Sequence, residues 1–225
     1  MRLRVMAWNV HGFRGGTVQA AEAVAAVEPD ILLLNETRYS GFRLRRFAGR
    51  LQMQAASGLH GLRRIPNAIL ARPPWRVVRS ETMAFPRARR TTRRGAVIAM
   101  VGRAGTRVSA VAVHLGLAEG ERLEDVRVLS DRLAGRDPVV IGGDLNEGPD
   151  GRAVRWIGGR FWDAFERAGQ GEGTTFPASE PRARIDYLFV SQGVSVDTVR
   201  VGGPGFSDRS DHLPVIADLV LGEMT

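Results

Sequence analysis

The chain has no cysteine, and although 32 of its 225 residues are basic, none is lysine. The first absence excludes disulfides, thiolate metal sites and a cysteine nucleophile. No apolar run approaches the ~20 residues that a membrane-spanning helix needs. The opening Met-Arg-Leu-Arg-Val-Met-Ala-Trp-Asn is too short an apolar stretch for a signal peptide, and no small-residue cleavage site follows. The expectation is a cytoplasmic, soluble protein with no membrane partner. Long linkers, low-complexity tracts and fixed-period repeats are also missing, so residues 1–225 read as one domain, expected to be monomeric.

Hydrophobic residues make up 44% of the chain and charged residues 25%, an ordinary globular balance that excludes wholesale disorder. The formal net charge of +8 suits a polyanionic partner. Exclusive use of arginine is also what a GC-rich coding bias produces, so charge alone does not assign nucleic acid.

Short apolar runs separated by loops organise the chain. Residues 3–8, 31–34, 67–71, 96–101, 108–113, 139–141, 185–190 and 213–220 read as strands. The unbroken run at 31–34 suggests a strand covered on both faces. A helix is expected from a cap at Thr17, with Val18, Ala21, Val24 and Ala25 on its apolar face and Pro29 at its end. A second covers 121–133, with Leu123, Val126, Leu129 and Leu133 on one side and Gly135 as its stop. Many strands and few helices predict an α/β fold: two mixed, mostly antiparallel sheets packed face to face, with helices outside.

Polar residues fall at the strand ends. Asn9, Glu36, His114, Asp144 and Asn146 follow apolar strands, whereas Asp186 and the Asp211–His212 pair precede the last two. If those two strands run antiparallel to the others, all these groups meet on one rim. Carboxylates crowded there repel one another, a cost that a cation and an anionic substrate would relieve. Oxygen ligands without cysteine favour Mg²⁺ or Mn²⁺ over Zn²⁺. Asp144 and Asn146 are two apart and in extended chain share a face, one to hold an attacking water and the other to donate to a phosphate oxygen. Asp211 and His212 would point apart. His212 needs a carboxylate to fix its tautomer, and Asp186 is the best choice. The reaction that follows is metal-assisted hydrolysis of a phosphoester.

The segments MAWNVHG (6–12), PDILLLNETR (29–38), NAILAR (67–72), VAVHLG (111–116), VVIGGDLNEGPDG (139–151), RIDYLFVS (184–191) and SDHLPVIADL (210–219) resemble the endonuclease/exonuclease/phosphatase superfamily, from end to end and in the family's order. The resemblance implies a four-layer α/β sandwich with the site at one edge. It implies Glu36 as metal carboxylate with Asn9 beside it, and Asp211 as a second metal-side carboxylate. It makes Asp144 the residue that orients or deprotonates water, Asn146 a phosphate contact, and His212 a base or phosphate-binding group partnered by Asp186. His114 sits where some members have a histidine acid. His11 stands where some repair nucleases of the family carry aspartate, which weakens a close link to abasic-site enzymes.

Arg87, Arg89, Arg90, Arg93 and Arg94 form a basic loop that either contacts substrate phosphates or is simply solvated. Arg38 is close enough to Glu36 in sequence to line the site. Arg43, Arg45 and Arg46 read as a further basic stretch. The leading functional expectation is a Mg²⁺- or Mn²⁺-dependent phosphodiesterase acting on nucleic acid, DNA favoured. The alternatives are hydrolysis of a small soluble phosphoester and a non-catalytic binding module that kept the fold.

Overall fold

The structure is a computed structural model that describes residues 1–38, 41–59, 64–86 and 93–222. Its strands are β1 (Arg2–Asn9), β2 (Ile31–Asn35), β3 (Gln54–Ser57), β4 (Ala68–Ala71), β5 (Arg76–Ala84), β6 (Gly95–Arg103), β7 (Thr106–His114), β8 (Val139–Asp144), β9 (Trp162–Asp163), β10 (Asp186–Val190), β11 (Val194–Val201) and β12 (Val215–Leu221). Its helices are α1 (Thr17–Val27), α2 (Phe42–Leu51), α3 (Glu119–Leu133), α4 (Arg152–Gly158), α5 (Ala164–Ala168) and α6 (Pro204–Ser207). Among the described residues no helix is long and apolar enough to cross a membrane.

Alternation along the strands builds the layers. In β1, Leu3, Val5 and Ala7 face one apolar cluster while Met6 and Trp8 face another. In β2, Ile31 and Leu33 divide from Leu32 and Leu34 in the same way. The first cluster also takes Val97, Ala99, Ala110, Ala112, Val140 and Leu188, so it is the seam between two sheets. The second lies under α1 and α2, and a third packs the other sheet's outer face on α3 and α4. Strands buried on both faces must be apolar throughout, and each such Val, Leu or Ile contributes roughly 1.5–3 kcal/mol.

Each sheet has six strands, in the orders β11-β12-β1-β2-β4-β3 and β5-β6-β7-β8-β10-β9. The first contains a parallel pair, β1 with β2, and the second a parallel pair, β7 with β8. Antiparallel partners follow: β12 beside β1 and β10 beside β8. The C-terminal ends of β1, β2, β7 and β8 therefore share a rim with the N-terminal ends of β10 and β12, as the strand-end pattern requires.

Local details differ from the sequence reading. Gly16, not Thr17, occupies the cap of α1, and Thr17 is its first helical residue. The buried face is Ala20, Ala21, Val24 and Val27, whereas Ala25 is exposed. The basic stretch at 43–46 lies in α2, an amphipathic helix that buries Leu44, Phe47, Ala48 and Leu51. That i, i+3, i+4, i+7 spacing is a helical signature that the arginines between obscured. Edge strand β5 and strand β11 were missed because their exposed faces are polar. Gly135, at φ 73, follows α3 as expected.

Candidate active site

Asp144 ends β8 and is the point on which the rim converges. Its Oδ2 accepts from Asn9 Nδ2 at 3.0 Å, lies 3.2 Å from His114 Nε2 and is 3.8 Å from His212 Nε2. Its Oδ1 accepts the backbone N–H of Asn146 at 2.9 Å. Asn146 has φ 51, so the pair forms a tight turn rather than the extended segment expected, and the two side chains do not simply share a strand face. Asn146 Nδ2 donates to the Leu115 carbonyl at 3.1 Å.

His212 Nδ1 lies 2.8 Å from Asp186 Oδ2, the pairing anticipated from sequence. The Thr175 hydroxyl donates to the same Oδ2 at 2.7 Å and accepts the Asp186 backbone N–H at 3.3 Å. Trp8 Nε1 donates to the His212 carbonyl at 2.9 Å, and the Phe176 ring lies against the imidazole at a centroid separation of 4.8 Å. Thr175 and Phe176 carry no separate signal in sequence; only their place in the loop before β10 gives them these partners.

Protonation follows from these contacts. Burial opposes the charge on Asp144, but the His114 and His212 imidazoles and the Asn146 amide outweigh it and hold its pKa below the usual carboxylate range. Burial also opposes charge on His212, but Asp186, then Asp144 and Asp211, raise its pKa to about 9. Burial raises the pKa of Asp186 against the opposing pull of His212. Arg94 Nη1 lies 2.8 Å from His114 Nδ1. A guanidinium only donates, so Nδ1 carries the lone pair and Nε2 carries the proton that faces Asp144.

The metal-side residues are more open. Glu36, at φ 55, has its nearest cation among the described residues at 3.9 Å, Arg94 Nη1. Asp211 pairs with His11 Nδ1 at 3.0 Å. Asp211 and His212 do face different partners, although both lie in the loop before β12 rather than in a strand. His11 N accepts its place by donating to Asn9 Oδ1 at 3.1 Å. Among the described residues, the group of three carboxylate or imidazole ligand atoms within 4.8 Å of one another is Asp144, Asp186 and His212, which could bind a metal. That group includes neither Glu36 nor Asp211.

Of the arginines, Arg94 enters the site between Glu36 and His114 rather than standing on a solvated loop. Arg38 Nε donates to the Gly12 carbonyl at 3.2 Å, next to the rim, and Arg43 Nη1 to the same carbonyl at 2.8 Å. Arg93 is described and has interactions of its own. Arg87, Arg89 and Arg90 lie outside the described residues.

This chain belongs to the Endonuclease/Exonuclease/phosphatase family, whose sequence profile matches residues 6–212. Members of the family are generally phosphoester hydrolases. The uncharacterized protein YbhP of Escherichia coli (strain K12) is 26% identical over 121 residues, 52% of this chain and 48% of YbhP. The chain thus spans about half the length of the curated relatives it matches. Among solved structures, the endonuclease/exonuclease/phosphatase from Bacteroides vulgatus superimposes with a TM-score of 0.84 at 18% identity, covering 99% of this chain and all 100% of that one. TDP2 of D. rerio, solved in complex with a single-strand DNA product, gives 0.80 at 20% identity, covering 97% of this chain and 99% of that one. These likenesses establish the shared fold.

Proposed function

We propose that this protein is a divalent-metal-dependent phosphodiesterase that hydrolyses nucleic acid, DNA in particular, by attack of water on phosphorus, with residues 1–225 acting as one catalytic domain. The observation that carries the reading is the convergence of Asn9, His114 and His212 on one oxygen of a buried, ionised Asp144. A carboxylate so surrounded by donors stays ionised and fixed in direction, ready to accept a hydrogen bond from an attacking water.

Glu36 and Asp211 offer hard oxygens at the open side of the rim, the buried Asn9 carboxamide is a further oxygen donor, and Glu36 has no cation within hydrogen-bonding distance among the described residues. That donor chemistry fits Mg²⁺ or Mn²⁺. Bound there, the ion would stabilise charge developing on the phosphoryl oxygens.

The chain's own groups divide the remaining work. Asp144 orients the attacking water and takes its proton as the new P–O bond forms and the ester P–O bond breaks, the bonding pair leaving on the alcohol oxygen, which takes a proton from solvent. His114, oriented by Arg94, donates toward Asp144 and holds it in place. His212, kept protonated by Asp186, points Nε2–H at a phosphoryl oxygen. Asn146 retains one Nδ2 hydrogen for another such oxygen. Arg38 and the arginine-rich segment with Arg87, Arg89, Arg90 and Arg93 supply positive charge for flanking phosphates. DNA is favoured over other phosphoesters by the net positive charge and by the DNA product held in the TDP2 neighbour.

The test is cleavage of plasmid DNA with Mg²⁺ or Mn²⁺, with and without EDTA, repeated with Glu36→Ala and His212→Ala. Cleavage is expected to need the metal and both side chains, and to fall steeply as salt rises. Metal-dependent cleavage untouched by both substitutions overturns the site. Turnover of bis(4-nitrophenyl) phosphate without plasmid cleavage, and with a flat salt response, moves the assignment to a small soluble phosphoester.

A further inference from the structure

We infer that Asn35, a residue with no part in the chemistry above, is the positioning residue that sets the metal side of the rim against the catalytic side. The inference deepens the proposed hydrolase reading and rests on it for its kinetic consequence.

Asn35 ends β2 in one sheet and is fully buried. Its carboxamide crosses to the other sheet. There Nδ2 donates to the Val113 carbonyl at 3.0 Å, and Oδ1 accepts the Asp144 backbone N–H at 3.0 Å. In the parallel β7–β8 pairing His114 stands opposite Asp144, and the Asp144 carbonyl accepts from Leu115 N at 3.1 Å. The Val113 carbonyl and the Asp144 N–H therefore face each other across the ladder at its last rung. One amide from the opposite sheet holds both.

The same residue is tied on its own side. Its carbonyl accepts from Val10 N at 3.1 Å, and it stands opposite Asn9 in the β1–β2 register. Glu36 is the next residue. Asn35 thus joins the strand ends that carry Asn9, Glu36, His114 and Asp144, with both ends of its side chain used.

The neighbouring glycine is fitted to this arrangement. Gly143 has φ +145, and a Cβ there would lie 2.0 Å from the Val113 carbonyl oxygen and 2.6 Å from Asn35 Oδ1. Only glycine lets the carboxamide reach the ladder. Asn67 also bridges the sheets, donating Nδ2 to the Gly95 and Ala112 carbonyls at 2.9 and 3.3 Å, but its Oδ1 has no partner among the described residues. Asn67 staples; Asn35 sets a distance between reacting groups.

Asn35→Leu keeps the shape and removes both bonds. On bis(4-nitrophenyl) phosphate with Mn²⁺ it is expected to lower kcat by ~10²-fold with KM within about threefold, since an ångström of misplacement costs that much. The control is Ser191→Ala, which removes the side-chain tie at the far end of β8, where Ser191 Oγ accepts from Val139 N at 2.9 Å. It should lower the melting temperature with kcat unchanged. In metal-free protein, the long-range ¹H–¹⁵N signals of the His114 ring should move in Asn35→Leu and stay in Ser191→Ala. Equal kinetic losses in the two variants, or a His114 signal that Asn35→Leu leaves in place, overturn the inference. Should Asn35→Leu not fold, Asn35→Ala carries the same readouts. A wild-type protein with no metal-dependent hydrolysis sinks the hydrolase reading, while the ring signals still decide whether Asn35 positions His114.

Discussion

The two halves of the rim are built differently. The side chains of Asp144 and Asp186 are 3% and 1% exposed, those of Glu36 and Asp211 34% and 42%. The inner half spends most of its hydrogen-bonding capacity on itself: two imidazoles, Asn9, Asn146 and Thr175 all contact one or other carboxylate, and Asp186 Oδ1 is the carboxylate oxygen left without a partner among the described residues. The outer half leaves its carboxylates partly facing water, Asp211 paired with His11 and Glu36 with its nearest cation among the described residues at 3.9 Å. Dense bonding fixes geometry and protonation before substrate arrives, while open carboxylates retain the charge and the lone pairs that an incoming cation needs.

Three substitutions test whether the closed and open acids differ in kind, the strongest first. Asp144→Asn removes the acceptor but preserves volume. Turnover should fall by at least ~10²-fold with circular dichroism and melting temperature close to wild type. A melted protein would make Asp144 a structural residue and erase the contrast.

Asp125 asks whether burial alone makes a carboxylate resemble Asp144. It lies in α3, is buried, and accepts from Gly116 N at 3.0 Å. Desolvation dominates there, and Glu121 and Glu124 add to it, raising its pKa to about 7. A folded pKa above the unfolded value near 4 means that the folded state holds more protons between the two, so stability falls as pH rises across that window. The loss between pH 5 and 8 should be roughly 2 kcal/mol, read from urea midpoints, and Asp125→Asn should flatten it. An unchanged slope in the variant would mean that Asp125 is already ionised at acid pH.

Asp211→Asn is the mildest. Its pairing with His11 is half exposed, and such pairs are worth about 0–1 kcal/mol. Turnover at saturating Mg²⁺ should drop fivefold or less, with a larger rise in the Mg²⁺ concentration needed for half-maximal rate. A loss as large as that of Asp144→Asn would show the two halves to be equally committed to chemistry.

The sandwich was legible because strands covered on both faces must be apolar at every position, and Ile31 to Leu34, Ala110 to Val113 and Val139 to Ile141 announce that in one dimension. So was the placement of Asn9, His114, Asp144, Asp186 and His212 at strand ends. What stayed hidden depends on neighbours distant in the chain. Thr175 is an ordinary loop threonine until the fold sets its hydroxyl on Asp186. Arg94 reads as one more residue of a basic loop until it meets His114. The left-handed backbone at Asn146 reverses a reading based on extended spacing.

The order of residues was enough to mark most buried strands and the polar groups at their ends, and hence one rim where acids gather. The tertiary structure decided which oxygen faces which nitrogen, and with it the charge on each group. The reason is physical: burial pattern is a local, periodic property of the chain, whereas a hydrogen bond such as Asn35 to Asp144 joins residues 109 apart in sequence and exists only once two sheets have closed on each other.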